Sequence, residues 1–271
     1  MGSKIIKGLV YLSTIFTFGV LAYLVIYILY NGVQYLTPSL FEWEYTTQNV
    51  SMMPALITTL YVVFGTLFIA TPIGVFTGFY LVDYANKDSK VVRAISMATD
   101  TLAGIPSIIY GLFGMMFFVI FLGLQFSLLA GILTVTIMTL PVIIRATEEA
   151  LIATGMPLRQ ASYALGAGKL RTLFTVVLPV AMPGILSGVI LATGKVIGET
   201  AALMFTLGTA TLLPKSLMAS GRTLSLHMYI LSGEGHNVDQ AYATAVVLLL
   251  FVLLINGLST FISNRLSKGG K

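Results

Sequence analysis

The chain has 271 residues, of which 57% are hydrophobic and 9% are charged, and its formal net charge is +5. A soluble globular domain carries about 25% charged residues, so the composition excludes a soluble domain and indicates a protein that crosses a membrane several times. The long apolar runs also exclude a transmembrane barrel, whose strands alternate apolar and polar residues over about 10 positions.

Six segments contain enough apolar residues to form membrane-spanning helices, which need about 20 residues each. They are 8–30, 54–82, 97–123, 126–145, 181–207 and 240–263. The first resembles a signal peptide but is too long and lacks a small-residue cleavage site, so we interpret it as a retained anchor. Pro72, Pro106 and Pro141 interrupt the second, third and fourth segments and are expected to bend them.

Basic residues divide the connecting segments into two groups. Twelve of the fifteen Lys and Arg lie in segments 1–7, 83–93, 145–180 and 264–271. The segments between them hold only Lys215 and Arg222, and Lys195 lies inside the fifth span. Because basic loops stay on the cytoplasmic side, both termini and 145–180 are predicted to be cytoplasmic. The predicted division is a first span with its external loop (1–50), a main transmembrane domain (51–265) and a tail (266–271).

The segment 145–171 is a polar island between apolar spans. We expect Pro157 to begin a short surface helix over 157–168, because a first-position proline sacrifices no hydrogen bond. Gly166 and Gly168 allow the turn after it. Small and apolar residues would then share one side of the helix: Ala161, Ala164 and Leu165. Such a side docks into a groove on a partner or lies on lipid head groups, and the spacing leaves both open.

Two motifs of other protein classes are absent. Gly166-Ala-Gly-Lys169 lacks the earlier Gly and the following Ser or Thr of a phosphate-binding loop, since Tyr163 and Leu170 occupy those positions. We therefore expect no nucleotide site, no other cofactor and no nucleic-acid partner. His227 and His236 lack the spacing of metal ligands, so no metal site is expected.

Lys195 and Glu199 are the clearest charges inside a predicted span, and each costs about 2.5–3.5 kcal/mol at the centre of a membrane. They lie four residues apart, so on one helix they can form an ion pair. The same predicted stripe contains small residues at helical spacing: Gly184, Gly188, Ala192 and Ala202. Two interpretations stay open, a salt bridge that fixes helix register and a charged lining of a transport path.

Four segments carry a resemblance to a known family. Gln160–Gly166 (QASYALG), followed by Leu178 and Pro179, resembles the EAA loop of ABC importer permeases in the spacing of its Gly and Leu-Pro. Three further segments make the chain similar to phosphate-transport permeases of the PstA type: Ala103–Gly114 (AGIPSIIYGLFG), Arg145–Leu151 (RATEEAL) and Gly194–Leu203 (GKVIGETAAL).

The resemblance implies an all-α bundle of six transmembrane helices of the MetI-like type, acting as a permease subunit and not as an enzyme. The implied partners are a cytoplasmic ATP-binding subunit dimer, a second permease of the PstC type, an extracytoplasmic phosphate-binding protein and the lipid of the cell membrane. It implies contact with the ATPase for the residues of the EAA-like loop, Gln160, Ala161, Gly166, Leu178 and Pro179. It also implies a substrate path through Lys195, Glu199 and Arg145.

Two positions depart from the family pattern, and other functions remain to be weighed. Gln160 replaces the acidic residue that opens the EAA motif, and Lys195 replaces an Arg, which keeps the charge but loses the planar fork that binds phosphate. A permease for another oxyanion, such as sulfate or molybdate, would belong to the same class of transporter and differ only in its cargo. A proton-coupled transporter that uses Glu199 as its proton carrier would not need the polar island, and a membrane scaffold would not need the intramembrane charges.

Overall fold

A computed structural model describes residues 2–86, 89–235 and 237–268, and every regular element within them is helical, as predicted. His236 and the end of the predicted tail lie outside these residues. The helices are α1 (Gly2–Gly32), α2 (Met53–Phe79), α3 (Lys90–Ala103), α4 (Ser107–Gly114), α5 (Leu128–Ala153), α6 (Met156–Ala164), α7 (Lys169–Thr172), α8 (Leu178–Ile197), α9 (Ala201–Met204), α10 (Leu224–Glu234) and α11 (Val238–Lys268). Turns of π-helix extend α2 to Tyr84 and α4 to Phe121, and join α7 to α8.

Five helical stretches in the described part of the chain are long and apolar enough to cross a membrane. They are Ile6–Tyr35, Met53–Tyr84, Leu128–Ala153, Lys169–Ile197 and Val238–Phe261. The remaining predicted span, 97–123, is instead a pair of helices, α3 and the extended α4, bent by 108°. The bend follows from Pro106, which precedes α4 and disfavours helical backbone at Ile105. Counted as one span, the bent pair brings the total to six.

The polar island is not one separate surface element. The α5 helix runs on to Ala153 instead of ending near 145, and Thr147 is buried within it, donating to the carbonyl of Ile143 at 2.8 Å. Leu178 and Pro179 lie in a continuous helical stretch that begins at Lys169 and ends at Ile197, not at 181 and 207. Only residues 154–168, which we call the connector, join the two spans.

The α5 helix is the centre of the bundle, with two thirds of its most apolar stretch buried. On α8, Gly184 and Gly188 face Ala150 and Ala146 of α5, and a Cβ at Gly184 would lie 2.7 Å from that of Ala150. Small residues four positions apart on both helices therefore let the two backbones approach closely.

The end of the bundle opposite the connector is closed by residues 33–52 and 208–235, which we call the cap. Leu40, Met52 and Leu224 form a buried apolar cluster there, and Leu128 at the start of α5 donates its N–H to the carbonyl of Ala219 at 2.9 Å. The cap thereby joins the ends of α2, α5 and α11.

Candidate functional site

The connector presents a short helix at one end of the bundle. Gly155, with a φ of +76°, turns the chain out of α5, and Pro157 lies in the first turn of α6, as predicted. The helix ends at Ala164, earlier than the predicted 168. Gly166 then adopts a φ of +81°, a left-handed conformation that favours glycine.

The predicted apolar side of this helix is open. Gln160, Ala161 and Ala164 are exposed, and Leu165 is 90% exposed. A Cβ at Gly166 would meet no atom within 4 Å. A second macromolecule can therefore contact this side without displacing any part of the chain.

The other two predicted loop residues, Leu178 and Pro179, begin α8. Leu178 is half-buried and packs on a cluster that includes Phe79, Leu151 and Val177, whereas Pro179 is exposed in the first turn of α8. The sequence spacing that links them to Gln160 and Gly166 thus connects α6 to the first turn of α8.

In the sequence, Arg159 counts only as one of the basic residues that predict the cytoplasmic side of the membrane. In the structure, its side chain holds α6 in place. Its side chain is 6% exposed, and its Nε donates to Asp83 Oδ1, at the end of the extended α2, at 2.9 Å. The two Nη atoms donate to Thr154 Oγ1 (2.7 Å) and to the carbonyls of Gly155 (3.0 Å) and Leu151 (3.0 Å). Asp83 and Arg159 are 76 residues apart, so no local pattern could have revealed the pair.

Arg145 joins α5 to α3. It forms ion pairs with Asp100 and, at 2.7 Å, with Glu148, and it donates to the carbonyl of Ser96 at 3.1 Å. Its charge is therefore already shared by two carboxylates in this conformation. The structure brings Arg145 and Asp100 together, whereas Lys195, on α8, is not a partner in the ion pairs of the described residues.

The predicted ion pair between Lys195 and Glu199 is wrong for this structure. The α8 helix ends at Ile197, so Glu199 has left the helical face that carries Lys195. Glu199 is 7% exposed, and its Oε1 accepts from the N–H of Ala202 at 2.9 Å, which caps α9. Its carbonyl accepts from Ser225 Oγ at 2.7 Å. Within the described residues, the ion pairs do not include Lys195 with Glu199.

Lys195 itself is exposed on the outer surface of α8. It borders an open groove of about 620 Å³ between α5, α8 and α11, together with Val142, Ser187, Ile190, Leu191, Gly194 and Asn256. The Oδ1 of Asn256 is buried without a hydrogen-bond partner. A cation and an unpaired amide oxygen therefore line the same groove, whose remaining lining is apolar except for Ser187, whereas Gly184 and Gly188 of the predicted stripe face α5.

The cap contains a buried polar cluster that the sequence did not indicate. The guanidinium of Arg222, a residue 5% exposed, lies 4.8 Å from the ring centroid of Tyr45. The ring of His227 meets Tyr45 edge-on at 6.2 Å and is fully buried. Burial, followed by the charge of Arg222, lowers the pKa of His227 to about 3, so this imidazole is neutral at physiological pH.

Comparison with known proteins gives the relationships of the chain. The family model for the inner membrane component of binding-protein-dependent transport systems matches residues 70–268. The probable ABC transporter permease protein YqgI of Bacillus subtilis is 32% identical over 276 residues, covering 93% of this chain and 92% of that protein.

Two further relatives are named as phosphate permeases. The phosphate transport system permease protein PstA 1 of Mycobacterium tuberculosis is 41% identical over 140 residues, 52% of this chain and 45% of that protein. The PstA homolog of Mycoplasma pneumoniae is 32% identical over 259 residues, 92% of this chain but 39% of that protein.

Solved structures with the same fold are ABC importers. The chain resembles an inward-facing form of the MetNI methionine ABC transporter with a TM-score of 0.58 and 23% identity, over 81% of this chain and 94% of that one. It resembles a bacterial ABC transporter that imports alginate with a TM-score of 0.62 and 14% identity, over 92% and 95%. At these identities the likeness establishes the MetI-like fold and nothing about the cargo.

Proposed function

Since the chain belongs to the family of inner membrane components of binding-protein-dependent transport systems, we propose that it is the permease subunit of an ATP-driven importer of inorganic phosphate. Such a subunit is not an enzyme, and the family implies a separate ATPase, a partner permease and a binding protein. One observation supports this role above the others: α6 presents an open apolar side directly between the two spans α5 and α8.

Phosphate is proposed as the cargo because relatives along most of the chain are named as phosphate permeases. We propose that the second permease is of the PstC type and that a phosphate-binding protein delivers the anion at the cap. In this proposal the connector and both termini lie in the cytoplasm. The reason is that twelve of the fifteen Lys and Arg lie in the segments that contain them or share their side, 1–7, 83–93, 145–180 and 264–271.

The proposed mechanism is mechanical. An ATPase dimer that closes on ATP displaces α6, and the spans joined to α6 rock between arrangements open to one side or the other, a rigid-body transition of the hinge and shear type. Gln160, Ala161 and Gly166 would contact the ATPase directly. Leu178 and Pro179 would carry the movement into α8.

The proposed substrate path runs along the groove that Lys195 borders. Lys195 forms no ion pair with a carboxylate among the described residues, so it can attract an anion. Arg145 would need to release Asp100 or Glu148 before it could do the same. Glu199 is retained in the path only as a prediction, because its carboxylate caps α9 in this conformation.

Docking of α6 on the ATPase can be tested with two matched glycines. Gly166 and Gly123 both have positive φ (+81° and +68°), and a Cβ added at either would have no neighbour within 4 Å, but they lie at opposite ends of α5. Gly166→Asp should weaken recovery of the ATPase subunit in a detergent pull-down, whereas Gly123→Asp should not. Equal recovery with both variants would indicate that α6 lies on lipid.

The cargo and the path are tested by ATP-dependent uptake of radiolabelled phosphate in cells that carry the whole transporter. Vanadate should inhibit uptake, and excess sulfate or molybdate should compete poorly. Lys195→Met should abolish uptake and Lys195→Arg should retain it, while Lys215→Met, a change of an exposed cation in the cap, should have no effect. Uptake near wild type with Lys195→Met would remove Lys195 from the path, and sulfate or molybdate uptake without phosphate uptake would change the cargo.

A further inference from the structure

The buried side of α6 is polar, which is unusual for a helix held against a membrane bundle. The buried residues of α6 are Arg159 and Ser162. Arg159 reaches the last turn of α5 and, at the same time, the carboxylate of Asp83 at the end of α2. Ser162 shares a hydrogen bond of 2.8 Å with Thr172 in α7. Directional bonds therefore attach α6 to three other helices.

The bonds of Arg159 fix an orientation as well as a distance. A guanidinium is planar and its N–H donors point in fixed directions, so four acceptors on two helices leave α6 little freedom to rotate. The carbonyls of Leu151 and Gly155 lie at the C-terminal end of α5, where the helix dipole favours a cation. The second oxygen of Asp83, Oδ2, is buried without a partner, so the carboxylate depends on Arg159.

Stability alone does not explain such a pair. Replacing a buried ion pair by apolar residues of similar volume is often neutral or stabilising, because both charges must be desolvated to form it. An apolar contact would hold α6 at a similar distance but would let it slide and rotate when pushed. What the polar pair adds is a defined angle between α6 and the ends of α2 and α5.

We propose that Arg159 is a positioning residue that makes α6 and the adjoining ends of α2 and α5 move as one body. When the ATPase displaces α6, the ends of α2 and α5 then move together with it. This inference rests on the proposed function, in which α6 contacts the ATPase. Coupling between distant sites is carried by such rigid, contiguous elements.

The first test compares transport with ATP hydrolysis in the purified, reconstituted complex. The double variant Arg159→Met/Asp83→Leu removes both charges together, so the fold should persist. Recovery of the ATPase subunit and the rate of ATP hydrolysis should stay at the wild-type level, while phosphate imported per ATP falls about tenfold, a coupling loss within the usual range. Arg171→Met, a change of an exposed basic residue in α7, is the matched control and should keep the wild-type ratio.

The second test does not require transport. The chain has no cysteine, so spin labels can be attached at Tyr163→Cys within α6, outside the proposed docking residues, and at Tyr80→Cys, which are 40% and 50% exposed. The distance distribution between them should be narrow in the wild-type background, both without nucleotide and after trapping with vanadate. It should broaden in the Arg159→Met/Asp83→Leu background.

The outcomes separate this inference from the proposed function. An unchanged phosphate-to-ATP ratio together with an unchanged distance distribution would overturn it, and so would a loss of ATPase binding with a narrow distribution, which would assign Arg159 to docking. If the wild-type complex hydrolyses ATP but imports no phosphate, the proposed cargo fails, and the spin-label distances alone decide whether α6 and α2 form one body.

Discussion

The buried imidazole of His227 should make the cap sensitive to acid. His227 lies in α10, outside the spanning helices, and its pKa is about 3 in the folded protein compared with about 6.5 in an unfolded chain. The unfolded state therefore binds a proton in a pH range where the folded state does not. Stability attributable to His227 is complete above about pH 6.5 and is lost progressively as the pH falls toward 3.

The size of the effect follows from the difference between the two pKa values. Each unit between them is worth about 1.36 kcal/mol, so lowering the pH from about 7.5 to about 5 should reduce the free energy of unfolding by about 2 kcal/mol. His227→Phe keeps a ring against Tyr45 but cannot bind a proton. In this variant, the part of the pH dependence of the free energy of unfolding that comes from His227 should disappear.

The assay is denaturant unfolding of the detergent-solubilised protein, followed by the fluorescence of Trp43. This is the single tryptophan of the chain, and it lies in the cap. Wild type and His227→Phe are compared at both pH values, and similar signals at the higher pH establish that the variant is folded. An equal loss of stability in both proteins on acidification would refute the reasoning, since another group would then be responsible.

Three further predictions concern topology, packing and capping. With an impermeant maleimide applied to intact cells, Thr47→Cys should react and Leu165→Cys should not, because the first lies in the cap and the second in the connector; the reverse pattern would invert the membrane orientation. Gly188→Leu should destabilise the bundle by about 1–3 kcal/mol because its side chain would overlap α5, whereas Gly194→Leu, with its nearest neighbour 3.8 Å away, should be tolerated in the same unfolding assay. Glu199→Ala should cost about 1 kcal/mol by removing the cap of α9, and Glu199→Gln should keep most of that stability; lost phosphate uptake in a stable Glu199→Gln protein would support a role in the path.

The amino-acid sequence by itself was sufficient for the class of protein and for most of its spans. Apolar runs of about 20 residues have few alternatives to a membrane helix, because an unpaired backbone group in lipid is costly. Local backbone chemistry was similarly decisive in the connector. Pro157 begins α6 and Gly166 turns the chain after it, since each restricts or permits particular backbone angles whatever surrounds it.

Tertiary structure decided where helices continue across polar sequence. The segment after Arg145 is polar enough to suggest a surface loop, yet α5 continues to Ala153 because Thr147 is buried against α2 and Leu151 packs in the core. Conversely, the chain leaves the helix after Ile197 although the prediction continued the span to 207, and Glu199 instead caps α9. Periodicity could not reveal either boundary, and it therefore joined Lys195 and Glu199 on one face.

Tertiary structure also decided which charges meet. Arg159 and Asp83 are separated by 76 residues, and Arg145 and Asp100 by 45. A long charged side chain pairs with whichever opposite charge the packed helices bring within its reach. No periodic pattern in the sequence identifies that partner. Hydropathy and backbone preference act within a few residues, so both can be recognised from the sequence. The partners of buried charges depend instead on how the helices pack.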